Sequence, residues 1–440
     1  MSHAMSPVKM EEHFCPGITR PAVHVGSQTM RFFCGNPKEQ AWEALLLAAA
    51  FDQDITVVRD VDPDYLAYWA SLTGGYRVVN ASGANPGEYL SRVLLDDPVL
   101  LEIVRLAMAP GARLHVFFPT PLEQELADAL GIPLHGSPEV SARYGTKSGV
   151  RDLARAAGIP MPPGCVCRTY AEVEEAVTEL RDQFDELVIK HDLSTGGDWS
   201  QRFNVWSDDP RAVAAEVSDG HFVEGRDVVV VEGWLQTIAS LCAHIEIPPE
   251  GNPVVCAGWQ QVLGEDGKTH IGSGPLMLSA ARVAEFHAQA HRLAVALQRE
   301  GAVGSFGPDF LVVDQAGTDD GEVVLVELNA RIPATAFPLQ IVRQVKGAIG
   351  TGFCSRHVHL ARPASFSEVA GVLQAEGLLI TEPDPNASGV VPYNVGLLPW
   401  QLFDVVAIAD DWEEALRIIG RVDNAINNLS PRVSRPDPQA

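Results

Sequence analysis

The sequence predicts an α/β protein built from several lobes, and three observations carry that expectation. Its 440 residues exceed what one ordinary core holds, since domains run to roughly 150 residues. From about Met30 short apolar runs alternate with helical segments. Those runs are apolar almost throughout, as in parallel strands whose sheet is covered on both faces.

The elements follow in chain order. Residues 1–20, opening MSHAMSPVKM, read as a tag or disordered leader and are set aside. MRFFCG (30–35) reads as a strand, EQAWEALLLAAA as a helix, and DITVVRD and RLHVFFP as further strands. Thr120 is placed to cap the helix PLEQELADAL, with Gly131 just past its end. Residues 21–145 are thus expected to form a first α/β domain. Next come a helix, KSGVRDLARAA, stopped by Gly158, a stiff PMPPG link, and the amphipathic helix YAEVEEAVTELRDQF. ELVIKHD and DVVVVEGWL read as strands, and the glycines of STGGDW between them suit a mobile loop. Val283, Phe286, Ala290, Leu293 and Leu297 share one helical face, with Gly301 as the stop. From about 361 to 440, GLLIT, GVVPYNV and FDVVAIA read as strands and DWEEALRIIGRV as a helix, which makes a small α+β appendage.

Charge narrows the function. A net charge of −25 with only 32 basic residues weighs against nucleic acid or an anionic membrane as partner, and no apolar run approaches a membrane span. Individual lysines therefore become informative. With no signal-peptide core and seven scattered cysteines, the cytoplasm is expected, and Cys165 and Cys167 read as structural thiols. EDGKTH contains GKT, but the Walker pattern needs a glycine where Val262 stands. His287 and His291 lack the glutamate of HExxH and are not read as a zinc site.

The informative stretch is LVELNARIP. In a strand, residues two apart share a face, so Val323, Leu325, Glu327, Asn329 and Arg331 are expected to point one way. Upstream, GPDFLVV reads as the other arm of a hairpin. If the arms pair about residue 318, Asp309 falls opposite Glu327, each nine positions away. Two carboxylates and an amide so placed are either a solvated strand end with an ordinary ion pair or a site for a divalent cation. All-oxygen ligands of this kind suit Mg²⁺, and Arg331 would then meet a phosphate.

ELNARIP behind a GPDFLV strand, with a lysine at a helix start, another at a strand end and a glycine-rich loop between, resembles the ATP-grasp ligases over about residues 140–350. The flanking N-terminal and C-terminal regions are most similar to the pheganomycin-type peptide ligases of antibiotic biosynthesis. The resemblance implies α+β grasp lobes at 146–234 and 235–360, a pre-ATP-grasp domain at 21–145, and ATP with Mg²⁺ (or Mn²⁺) as cofactors. It implies that Lys147 and Lys190 contact the phosphates, that Ser194, Thr195, Gly196 and Gly197 close over them, and that Glu232, Trp234 and Leu235 recognise adenine. Asp309, Glu327 and Asn329 are the implied metal ligands and Arg331 the implied catalytic base-type residue. An acid for the ribose, which many members place after the hinge, is absent where this chain reads QTIAS. The implied activity is an ADP-forming carbon–nitrogen ligase joining a small-molecule carboxylate donor to an amino-acid or peptide amine through an acyl phosphate. The alternatives are a carboxylase-type ligase using bicarbonate, or a nucleotide-binding regulatory protein without turnover. His270, Ser273 and Arg202 are expected near the substrate, and a homo-oligomer is compatible with the sequence.

Overall fold

The computed structural model describes residues 21–427 and 429, apart from 28–37, 39–40, 51–52, 76, 84–86, 194–198, 219, 221, 265–266, 268, 315–320, 349 and 351. The expected strand at 30–35 and the loop residues Ser194 to Gly197 therefore lie outside the described residues. The chain divides into two compact units. Among the described residues, no helix is long and apolar enough to cross a membrane.

One unit comprises residues 20–117, 126–133 and 337–440. Its first sheet is parallel, in the order Arg77–Asn80, Ile55–Val58, Ala22–Val25, Arg113–Val116. The central strand Ala22–Val25 has no apolar run to announce it, because His24 interrupts it. That histidine is fully buried beside Asp54, 3.3 Å away. Residues Ala41–Ala49 are a 3₁₀ helix. The expected cap and stop hold for Pro121–Leu130, where Leu122 N–H donates to Thr120 Oγ1 and Gly131 takes φ of 70°.

In the same unit, Phe353–His359, Leu402–Ile408 and Gly389–Tyr393 pair antiparallel, covered by helix Trp412–Asn427. GLLIT does not form the expected strand. Its Leu379 makes a single bridge to Val390, while Ile380 and Thr381 turn their carbonyls to Tyr68 and Ser71 of helix Pro63–Thr73. Residues 361–440 thus pack with residues 20–117 inside one unit.

The other unit holds residues 118–125 and 134–336. A four-stranded antiparallel sheet runs Gly164–Cys167, Val229–Gly233, Glu186–His191, Ser200–Asn204. Helices Tyr170–Leu180 and Pro210–Glu216 bury their apolar faces on it. Five further antiparallel strands follow the order Glu322–Asn329, Gly304–Val313, Thr237–Ile247, Val254–Leu263, His270–Gly274. Helices Lys147–Ala157 and Ala280–Arg299 cover these strands, the latter through the predicted stripe of Val283, Phe286, Ala290, Leu293 and Leu297.

Candidate active site

A cleft of about 270 Å³ is lined by both of these sheets. Its floor is the hairpin of Gly304–Val313 and Glu322–Asn329, in which Asp309 pairs directly with Glu327, the pairing expected from the sequence. The shared face differs from expectation. Phe310 pairs with Leu325, so Val326 is an extra residue, a bulge that resets the alternation. Val323 and Leu325 consequently point into the core with Leu328 and Ala330. Glu327, Asn329 and Arg331 line the cleft beside Val326. One inserted residue thus lets an apolar strand turn a polar trio outward without exposing its core side.

The polar groups are tightly arranged. Asn329 Nδ2 donates to Asp309 Oδ2 at 2.9 Å and to the Gly307 carbonyl at 3.1 Å. Gln261 Nε2 donates to Asp309 Oδ1 at 3.1 Å, and Ser240 Oγ donates to Gln261 Oε1 at 2.6 Å. Lys147 Nζ lies 3.7 Å from Glu327 Oε2. Burial first, and the Glu327 charge second, push the Asp309 carboxyl up to about 7. Burial pulls the Arg331 guanidinium below its usual range, against the opposing pull of Glu327 and Asp309. That guanidinium stacks over Phe118, 5.1 Å from the ring centre.

These residues fit a hard divalent cation. Two facing carboxylates stand beside an amide, with burial and the Glu327 charge raising the Asp309 carboxyl and with Lys147, 3.7 Å from Glu327, as a nearby positive charge. Among the described residues no three His, Cys, Asp or Glu side chains gather to hold a metal. The donor set is therefore two carboxylates and an amide, a set that leaves positions for water and phosphate, as Mg²⁺ prefers.

The opposite wall carries the second lysine. Lys190, on Glu186–His191, reaches Glu232 Oε2 at 2.5 Å. Glu232 Oε1 accepts from Arg151 Nη1 at 2.7 Å. Trp234 and Leu235 line the cleft just beyond, with Ser200 and Thr237. His270 lines it too and bonds Ser273 at 3.0 Å. Arg202 is not among the lining residues; it pairs with Glu186 and lies over Trp234. The sequence reading missed Gln261, Ser240 and Arg151. For Arg151 a signal existed: it follows Lys147 by four positions, which puts a second charge on the buried face of helix Lys147–Ala157.

Comparison with known proteins agrees with this architecture. Residues 41–132 match the family described as Pre ATP-grasp domain. L-propargylglycine--L-glutamate ligase from Streptantibioticus cattleyicolor is 27% identical over 297 residues, covering 59% of this chain and 56% of that protein. The chain thus spans little more than half the length of this relative. Among solved structures, carboxyaminoimidazole ribonucleotide synthase from Aspergillus clavatus complexed with ATP has a TM-score of 0.55 at 12% identity, over 93% of this chain and 98% of that one. A biotin carboxylase from Campylobacter jejuni, in a β,γ-ATP complex, gives 0.55 at 13% over 90% and 89%. At such identities the likeness is one of fold.

Proposed function

From the premise that this chain joins a pre-ATP-grasp domain to an ATP-grasp fold, we propose that it is an ATP-dependent ligase that forms an amide between a carboxylate and an amine. The observation that carries the reading is the single cleft lined by Asp309, Glu327, Asn329, Arg331, Lys147 and Lys190. In an acidic chain, such a gathering of cations against paired acids serves a polyanion together with a metal.

A donor carboxylate oxygen attacks the γ-phosphorus, the bond to the β-phosphate oxygen breaks, and ADP leaves. The amine nitrogen then attacks the acyl carbon, phosphate departs, and the amine proton passes to solvent. Both reactants are anionic in the first step, so most of the barrier is charge repulsion and positioning. Lys147 and Lys190 offset the phosphate charge, and Arg331 faces the transferring group or the acyl phosphate. Asp309, Glu327 and Asn329 would hold Mg²⁺, with Mn²⁺ as a substitute, and the ion would supply positive charge to the β- and γ-phosphates. Residues 194–197 would cover the triphosphate and exclude water. The ligase from Streptantibioticus cattleyicolor, named for two amino acids, supports an amino-acid donor and an amino-acid or peptide acceptor.

The test measures ADP release from purified protein against pools of amino acids and short peptides, with mass spectrometry of the products. Release that requires both an acid and an amine, with a condensed product one water lighter than their sum, is expected. Release driven by bicarbonate alone would favour a carboxylase-type ligase. Nucleotide binding with no release under any pool would favour a regulatory protein.

A further inference from the structure

We propose that Arg151 is a positioning residue for the nucleotide phosphates, one that gives the Lys190 wall its net positive charge. The inference rests on the nucleotide reading of the cleft given above. Lys190 and Glu232 both line the cleft, and the Lys190 ammonium bonds Glu232 Oε2 at 2.5 Å. Taken alone, that pair sums to zero charge. A lysine neutralised by its own glutamate is a poor partner for a polyanion, because in a partly dry site the glutamate repels phosphate about as strongly as the lysine attracts it.

Arg151 changes the sum. It stands behind the pair, outside the cleft lining, with its side chain 8% exposed and Glu232 at 3%. Nη1 donates to Glu232 Oε1 at 2.7 Å, while Nη2 donates to the carbonyls of Pro162 at 2.7 Å and Gly164 at 3.2 Å. The three side chains together carry one net positive charge, and Lys190, 19% exposed against 3% for Glu232, is the part most open to the cleft. Glu232 thus acts as a buried pivot: one oxygen is fixed by the guanidinium, and the other aims the ammonium.

The local backbone is shaped for the pair. A Cβ on Gly164 would fall 2.5 Å from the Val231 carbonyl oxygen, 2.9 Å from Glu232 Cγ and 3.1 Å from Arg151 Nη2. Glycine at 164 is what lets strand Gly164–Cys167 pass this close to the ion pair. With both Glu232 oxygens held, the backbone through Trp234 and Leu235 is left as the adenine-facing part of this wall.

The experiment is calorimetric titration of the full-length protein with ADP in excess Mg²⁺, with a thermal melt of each variant. Arg151→Met should weaken ADP binding by about tenfold or more, and Arg151→Lys should restore most of it. The decisive variant is the double Arg151→Met/Glu232→Gln, in which Lys190 stands as a single uncompensated cation. It should bind ADP more tightly than Arg151→Met alone. It also removes both buried charges together, so it remains informative where the single variant fails to fold. Wild-type affinity in Arg151→Met would overturn the inference. So would a cooperatively melting double variant with no gain over the single one. Wild-type protein that binds no ADP would remove both the nucleotide reading and this inference.

Discussion

Asp309 shows how far a single residue can be read. Its partner Glu327 is expected from counting nine positions either side of residue 318. Yet the pairs nearer the loop, from Phe310 with Leu325 to Val313 with Glu322, are centred half a residue earlier, and the bulge at Val326 is what brings Glu327 opposite Asp309. Gln261 could not be found that way. It reaches Asp309 from Val254–Leu263, a strand separated in the sheet from Gly304–Val313 by Thr237–Ile247, and no local pattern encodes that approach. Glu327→Gln and Asp309→Asn should each reduce Mg²⁺-dependent turnover by at least about a hundredfold with unchanged circular dichroism. Full turnover in either variant would remove that side chain from the ligand set. Gln261→Leu leaves the ligands in place but frees the Asp309 carboxylate to rotate. It should raise the Mg²⁺ concentration needed for half-maximal ADP binding on the order of tenfold, as read by calorimetry, and an unchanged requirement would show that Asn329 alone orients Asp309.

At the scale of the element, helix signals are local, yet helix Phe366–Ala375 is not among those expected from the sequence, although its start signal is complete. Helix Phe366–Ala375 carries a full capping box: Ser365 Oγ accepts from Glu368 N–H, and Glu368 Oε2 accepts from Ser365 N–H at 3.0 Å. Arg362 adds a bond to the same carboxylate at 2.8 Å. The Ser365 backbone bond first, then Arg362, bring Glu368 down to about 2. A carboxylate whose folded pKa is depressed contributes fully above its unfolded value of 4.5 and loses that contribution as pH falls towards 2. Glu368→Gln should therefore lower stability at pH 6 by up to about 1 kcal/mol, a cap-sized effect at a largely solvated position. At pH 3 the difference should shrink, as urea unfolding at the two pH values would measure. The metal strand was legible only in part. Simple alternation put Leu325 and Glu327 on one face, and no residue at Val326 marks it as a bulge in the way a glycine would. Deleting Val326 would take out the extra residue, and plain alternation from Leu325 would then keep Glu327 and Asn329 on the cleft side with Leu328 and Ala330 in the core. The expected result is a variant that still melts cooperatively, with Asp309 opposite Glu327; loss of cooperative melting would refute the reading of Val326 as an extra residue.

For the whole molecule, sequence signals are local while the units are not. Turn and period signals separate residues 361–440 as a body of their own, yet they cluster with residues 20–117, across some three hundred positions of chain. Tyr68 Oη donates to the Ile380 carbonyl at 2.8 Å, Tyr65 meets Phe366 edge-on at 5.1 Å, and Phe366 is buried there. Helix Pro63–Thr73 buries Tyr65, Trp69 and Leu72, and its apolar face is covered partly by Phe366 from the far end of the chain. Such long-range closure costs chain entropy that only the finished core offsets. A fragment ending at residue 336 should thus retain one unit and lose the other. In hydrogen exchange on residues 21–336, strands Thr237–Ile247 and Gly304–Val313 should keep full-length protection, since their core partners all lie between 134 and 336. Strand Ile55–Val58 and helix Pro63–Thr73 should exchange at least about a hundredfold faster, because their opening then needs far less than global unfolding. Equal protection of Ile55–Val58 in fragment and full-length protein would mean that the parallel sheet folds without residues 337–440, and that this unit consists of two independent bodies.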